Sequence, residues 1–123
     1  MHEATSKTVV WVGPTRKELK AFPRPVQRAI GLALYAAQLG ETPPDVKPLK
    51  HFGGAGVLEI VEDRRGDTFR AIYTVRFATR IYVLHVFQKK SKHGIATPQK
   101  EIELIRARLK WAERIHTGRS EEI

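Results

Sequence analysis

Val57-Leu58-Glu59-Ile60-Val61-Glu62-Asp63-Arg64-Arg65-Gly66-Asp67, with the stretches Thr68 to Phe77 and Arg80 to Gln88 behind it, decides how this chain folds. In the second stretch Phe69, Ala71, Tyr73, Val75 and Phe77 alternate with Arg70, Ile72, Thr74 and Arg76. In the third, Ile81, Val83, His85 and Phe87 alternate with Tyr82, Leu84 and Val86. Side chains of a strand point to opposite faces in turn, so period-two alternation predicts strands. The segment Asp63 to Asp67 reads as a hairpin turn, and Ala78-Thr79 as a tight connection. Three consecutive strands joined this closely make an antiparallel meander.

Upstream, Thr8-Val9-Val10-Trp11-Val12 is β-branched and aromatic, a strand stopped by Gly13-Pro14. Thr15 and Glu18 have the spacing of a capping box, predicting a short helix that ends at Pro23. A second helix is predicted from Pro25 to about Leu39, with Val26, Ile30, Ala33, Leu34 and Ala37 on one face and Gly40 at its end. The two form an antiparallel helical hairpin. Glu41 to Pro48 holds three prolines and reads as an extended loop. Downstream, Thr97 is an expected N-cap before Pro98, and the last helix carries Ile102, Ile105, Leu109 and Ala112 inward, closing at Gly118. The expected fold is α+β, in the order β-α-α-β-β-β-α. It places a helical hairpin in one layer on a small, twisted, mainly antiparallel sheet. Residues 1–123 make a single domain, its core spanning about 8–115.

Apolar residues form 41 % of the 123, enough for a core, and no run approaches the roughly 18 residues of a membrane span. The first residues lack the basic and apolar regions of a secretory signal. Cysteine is absent, which excludes disulfides, thiol catalysis and zinc–thiolate sites and fits a reducing cytoplasm. Lysine and arginine number 22 against 13 acids, a net charge of +9 that attracts polyanions, nucleic acid first.

Cations stand beside the sheet in three places. Lys47-Pro48-Leu49-Lys50-His51 leads into the second predicted strand, Arg70 and Arg76 share a face of the third, and Lys89-Lys90-Ser91-Lys92-His93 leaves the fourth. The meander would bring these ends onto one shallow positive surface. Arg70 either pairs with Glu59 or Glu62 across the sheet or meets an anion from outside. His85 is either a buried, hydrogen-bonded histidine or a proton-transfer group. The five histidines are too scattered to argue for metal, and Gly53-Gly54-Ala55-Gly56 lacks the Lys-Ser/Thr and helix of a phosphate loop. No Ser-His-Asp or Cys-His set is present, and no cofactor is expected.

The stretch Lys47-Pro-Leu-Lys-His-Phe-Gly-Gly, then Gly56-Val-Leu-Glu-Ile and Asp67-Thr-Phe-Arg-Ala-Ile-Tyr, resembles the phage-derived, HigB-like branch of the RelE/ParE toxins. So does Ile81-Tyr-Val-Leu-His-Val-Phe-Gln-Lys-Lys-Ser-Lys before Thr97-Pro98 and the closing helix. The resemblance spans about residues 8–115. It implies a RelE-like fold and the toxin of a type II toxin–antitoxin pair. Such a toxin is a metal-independent, ribosome-dependent endoribonuclease, an mRNA interferase that inhibits translation and is neutralised by a helix-turn-helix antitoxin. Its partners are then the antitoxin, the ribosome and mRNA, with no membrane. Carried onto this chain, Arg70 stabilises the scissile phosphate, with Lys50, Lys89, Lys90 and His85 as further catalytic candidates. Lys47, His51, Arg76, Gln88, Lys92 and His93 are RNA-binding candidates. Relatives often keep a tyrosine or histidine near the C-terminus as a catalytic group, and His116 has no secure correspondence to it. A ParE-like toxin that inhibits a protein such as gyrase, or an inactive nucleic-acid-binding protein, is the alternative.

Cleavage by a ribose 2′-hydroxyl needs a base, an acid and cations meeting charge on the phosphate, each such contact worth about 2.7–4 kcal/mol. The nuclease expectation therefore has a geometric requirement: cations from three segments must reach one phosphate on one side of the sheet. It fails if Arg70 lies on the opposite side or is locked into a buried carboxylate pair. It also expects Arg70→Ala to relieve growth arrest without unfolding the chain.

Overall fold

The structure, a computed structural model, describes residues 6–54, 56–89 and 97–121, the last three as backbone alone. Eight elements follow in the order β1 (Thr8–Trp11), α1 (Thr15–Lys20), α2 (Arg24–Gln38), β2 (Lys47–Pro48), β3 (Val57–Arg64), β4 (Asp67–Thr74), β5 (Arg80–Lys89) and α3 (Gln99–Glu121). The meander forms as expected: β3 pairs antiparallel with β4, and β4 with β5. Arg65 (φ 52°) and Gly66 (φ 85°) make the first connection. Two successive positive φ values are what a two-residue hairpin with right-handed strand twist needs. β1 adds in parallel beside β5, and the short β2 closes the far edge beside β3, giving the order β1-β5-β4-β3-β2.

The helices do not form one layer. α1 and α2 cover one face of the sheet, where Ile30, Leu34, Ala71, Tyr73, Ile81 and Val83 share a core. α3 covers the other, with Ile72, Tyr82, Leu84, Ile102, Ile105 and Ala112 in a second core. The cause is visible in the strands: β4 and β5 carry large apolar side chains on both faces, so both need cover.

Local departures each have a physical reason. The loop after α2 ends in the two-residue β2, because Lys47 and Pro48 lie opposite Glu59 and Leu58 at the sheet edge, where a proline is tolerated. β4 stops at Thr74, whose Oγ1 accepts from the Arg76 amide (3.1 Å). Between Ile72 and Tyr73 the register with β5 shifts, so Ile72 faces His85 while Tyr73 faces Val83. Leu84 is the unopposed residue of this β-bulge, and the bulge turns His85 away from the face that Val83 occupies. The Thr15–Glu18 capping box does not form. Pro14 is the N-cap, and the buried Thr15 Oγ1 has no hydrogen-bond partner among the described residues. α2 ends as predicted around Gly40 (φ 83°): the Gly40 amide donates to the Ala37 carbonyl and the Glu41 amide to that of Ala36. Those are the two bonds of a Schellman cap. α3 begins with the Pro98 carbonyl accepting from Glu101 and Ile102, so Thr97 is not its N-cap, and the helix continues through Gly118.

Candidate functional site

Arg70 lies on the α3 side of β4, 6 % exposed. Its Nη1 donates to Glu59 Oε2 (2.6 Å) on the neighbouring β3 and to Thr97 Oγ1 (3.2 Å). The Thr97 hydroxyl donates in turn to Glu59 Oε2 (3.0 Å). The Glu59 side chain is 13 % exposed, so this is a buried ion pair closed by a hydroxyl. Of the two environments open to Arg70 from the sequence, the structure realises the pair with Glu59. The guanidinium that the resemblance assigns to the scissile phosphate is thus occupied by Glu59 in this structure. Thr97 is accounted for by the same triad.

His85 occupies the neighbouring part of the same face. Arg108 Nη1 donates to His85 Nδ1 (3.2 Å) and to the Leu84 carbonyl (2.9 Å). An arginine is donor only, so Nδ1 must be the acceptor, and the proton sits on Nε2, which donates to Glu101 Oε1 (2.7 Å). Phe87 stacks on the imidazole, with ring centroids 4.8 Å apart. The bulge at Leu84 thus feeds a polar string, Glu101–His85–Arg108, in which the buried His85 is held by two half-buried residues of α3. His85 is the buried, hydrogen-bonded histidine of the two readings.

The other candidates are dispersed. Arg76 pairs with Glu113 of α3 at the surface, and Gln88 donates to Asp67 (3.0 Å). Lys47, Lys50 and His51 are exposed, and Lys89 is half-buried. Lys90, Lys92 and His93 lie outside the described residues. Register places Lys50 and Lys89 at opposite ends of the meander. Leu49 bonds to Val57, whose row continues to Thr74, whereas Lys89 faces Thr68. Six residues of β4 separate those rows, about 20 Å at 3.3 Å per residue. Lys50 and Lys89 therefore do not grip one phosphate together. His116 is also remote: its Nδ1 lies 3.2 Å from the Tyr82 hydroxyl and its ring packs against Phe77. That position is four residues of β4 from Arg70, about 13 Å. Among the described residues no group of three His, Asp or Glu side chains is placed to hold a metal ion.

A family profile described as phage derived protein Gp49-like (DUF891) matches residues 17–110. The chain is a Gp49-like protein. One chain of the crystal structure of the RelBE2 toxin–antitoxin complex from Mycobacterium tuberculosis is similar to it, at 23 % identity and a TM-score of 0.44, over 74 % of this chain and 100 % of that one. No curated protein matches.

The Gp49-like match contains every described site candidate. The structure also shows a surface that the strand-centred reading missed, running from inside the match to Trp111 and Arg114 just beyond it. On α3 the exposed residues opposite Ile102, Ile105, Leu109 and Ala112 include Lys100, Arg106, Lys110, Trp111 and Arg114, with Glu103 as the acidic member of that arc. Trp111 is 43 % exposed. Arg106 bridges this helix face to the loop after β2, lying over the Phe52 ring (4.7 Å) and donating to the His51 carbonyl (3.3 Å). Lys50 and His51 are thereby joined to the helix as one cationic surface with an aromatic ring in it. The signal was present in the sequence, since the polar face of the last predicted helix carries these cations. In this Gp49-like protein α3 carries a row of exposed positive charge, whereas Arg70 within the sheet is paired with Glu59.

Proposed function

We propose that this Gp49-like protein is the toxin of a type II toxin–antitoxin system and that it inhibits translation by engaging RNA. It acts in the cytoplasm, with a helix-turn-helix antitoxin, the ribosome and mRNA as partners. The observation that carries the RNA reading is the surface formed by Lys50, Arg106, Lys110, Arg114 and Trp111. Cations follow the phosphate backbone, and an exposed indole gives a base a face to stack on, worth about 1–3 kcal/mol per base.

Two modes of action share this surface. Ribosome-dependent cleavage of mRNA is the mode the HigB-like resemblance implies. Arg70 is paired with Glu59, and Lys50 and Lys89 stand at opposite ends of the meander, so in this mode the Glu59–Arg70 pair must open on the ribosome. Inhibition by occupancy needs no such step and fits the buried pair better. A ParE-like action on a protein target is the remaining reading, favoured only by the absence of an assembled phosphate grip among the described residues.

Induced expression with mapping of mRNA 5′ ends tests this. Growth arrest with halted protein synthesis is expected, and new internal mRNA ends would assign cleavage over occupancy. Arg106→Glu with Lys110→Glu and Arg114→Glu should abolish the arrest while leaving the fold intact. An arrest unaffected by that triple change, or one with protein synthesis continuing and a DNA-damage response induced, refutes the RNA reading. Normal growth under strong expression refutes the toxin reading.

A further inference from the structure

The solvent side of α2 is divided along its length. Val26, Ile30, Ala33, Leu34 and Ala37 point into the core, and the opposite arc carries Arg24, Arg28, Gly31, Leu32, Tyr35 and Leu39. Three of the four large exposed apolar side chains described in the protein lie here, Leu32 at 67 %, Tyr35 at 58 % and Leu39 at 44 %. Spacings of three and four residues align them in a row, with Arg24 and Arg28 continuing that row toward the helix N-terminus. Between the halves, Gly31 sits on the exposed arc, and a Cβ added to it would meet nothing. A glycine inside a helix costs about 0.5–1 kcal/mol relative to alanine, and no packing inside the chain requires it here. It leaves a notch beside Leu32 and Tyr35.

The cationic half is a shaped feature. Lys20, Arg24, Gln27 and Arg28 line an open cleft of 630 Å³. Gln27 fixes its floor by donating to the carbonyls of Lys20 (3.0 Å) and Phe22 (2.8 Å), tying α1 to α2. Cations gathered at one end and apolar groups at the other call for an occupant with the complementary division.

The geometry points to α2 as the docking face for an amphipathic helix of a separate polypeptide, its carboxylates in the Lys20–Arg24–Arg28 cleft and its apolar side chains on Leu32, Tyr35 and Leu39. Resting on the toxin reading, this names the surface taken by the antitoxin and the chemistry of the segment that takes it. From Arg28 to Leu39 is eleven residues, about 16 Å of helix, so three turns of partner suffice. A second copy of this chain fits poorly, because a two-fold axis at Gly31 sets Arg24 and Arg28 of one copy against Leu39 of the other. That buries cations on apolar surface with no counter-charge. A lipid surface fits poorly too, since helices that lie in a membrane carry apolar groups along their whole length with cations at the borders.

Two probes test the assignment. The first is a labelled 18-residue amphipathic helical peptide with glutamates at one end and leucines on one face, compared with its lysine-for-glutamate counterpart. The folded protein should bind the acidic peptide and not the basic one. Leu32→Asp and Gly31→Leu should each weaken binding about tenfold or more, Trp111→Asp on α3 should not, and Arg24→Glu with Arg28→Glu should invert the peptide preference. Equal binding of both peptides, binding indifferent to these changes, or Leu32-dependent binding to anionic phosphatidylserine vesicles overturns the proposal, as does a wild-type dimer that Leu32→Asp dissociates. The second probe is the protein encoded beside this gene, co-expressed as antitoxin. Rescue of wild type but not of an equally toxic Leu32→Asp variant supports the docking face. Rescue of both overturns it and leaves the toxin reading standing, whereas rescue of neither counts against the toxin pair and leaves the docking face to the peptides.

Discussion

Replacing Arg70 by alanine should unfold this protein far more readily than any surface charge change, and the size of the effect follows from burial. The pair it forms with Glu59 has side-chain exposures of 7 % and 13 %. Without Arg70, the Glu59 carboxylate keeps only the Thr97 hydroxyl and stays out of water. Stranding one member of such a pair costs about 3–5 kcal/mol. That is a large part of the roughly 5–15 kcal/mol holding a domain together. With urea slopes of about 1–3 kcal/mol per molar, the midpoint followed by circular dichroism should fall by about 2 M. The pair Arg76–Glu113 is the internal control: at 46 % and 37 % exposure, Arg76→Ala should shift stability by less than about 1 kcal/mol. Arg70→Met combined with Glu59→Leu should return the midpoint close to wild type, since an apolar pair of similar volume replaces the charges. An Arg70→Ala midpoint equal to wild type, with unchanged slope, refutes this account. The expectation that Arg70→Ala relieves growth arrest without unfolding is therefore replaced. The informative variant is the folded double substitution, whose toxicity or harmlessness reports directly on whether Arg70 is needed for action.

Two further outcomes follow from groups outside the site. Burial first, then the charges of Asp45 and Asp63, pushes the Glu62 carboxyl above its ordinary value of 4.5, so the folded state holds this proton more tightly than the unfolded one. Its stabilising contribution is present at low pH and lost as pH rises through the raised value, so Glu62→Gln should stabilise at pH 7 and lose that advantage near pH 4; a destabilised variant at pH 7 by urea titration contradicts it. Burial pushes the Tyr73 hydroxyl up to about 12, and among the described residues that hydroxyl has no hydrogen-bond partner. Tyr73→Phe should be neutral or stabilising by up to about 1 kcal/mol and should blunt the loss of stability between pH 10 and 12; a loss above about 1 kcal/mol would reveal a partner for the hydroxyl.

The meander and both long helices were legible because period two and period 3.6 are written in consecutive residues. What escaped the sequence was set by register. The alternation Val83–His85–Phe87 suggested one face, yet the bulge at Leu84 moves His85 to the α3 side, and nothing in Tyr82-Val83-Leu84-His85 marks where the extra residue falls. Capping was misread at both Thr15 and Thr97 because spacing does not reveal competing partners: Thr15 is packed away, and Thr97 is taken by Glu59 and Arg70. Arg70 does share a face with His85 and Glu59, and among the described residues Lys47, Lys50 and Lys89 stand in or beside strands. Their mutual distances depend on which ends of which strands they occupy, and that placed Lys50 and Lys89 apart.

The buried pair also bounds what cleavage would require. A phosphate reaching Arg70 meets Glu59 beside it, so the two anions compete for one guanidinium. Binding the phosphate without moving Glu59 sets like charges together, and moving Glu59 forfeits the pair at about 3–5 kcal/mol, two to four orders of magnitude in rate. That cost must be met by binding energy from outside the reacting centre. The α3 surface, with four exposed cations and Trp111, is where this chain can supply such energy to a polyanion. On the RNA reading, an isolated strand would engage that surface without opening the core, whereas RNA held rigidly against both the helix and the sheet would do both. On the cleavage reading, neutralising Arg70 inside the fold would make the reaction depend on a large, ordered RNA assembly, so the expected outcome is that free RNA is bound by this protein but left uncut.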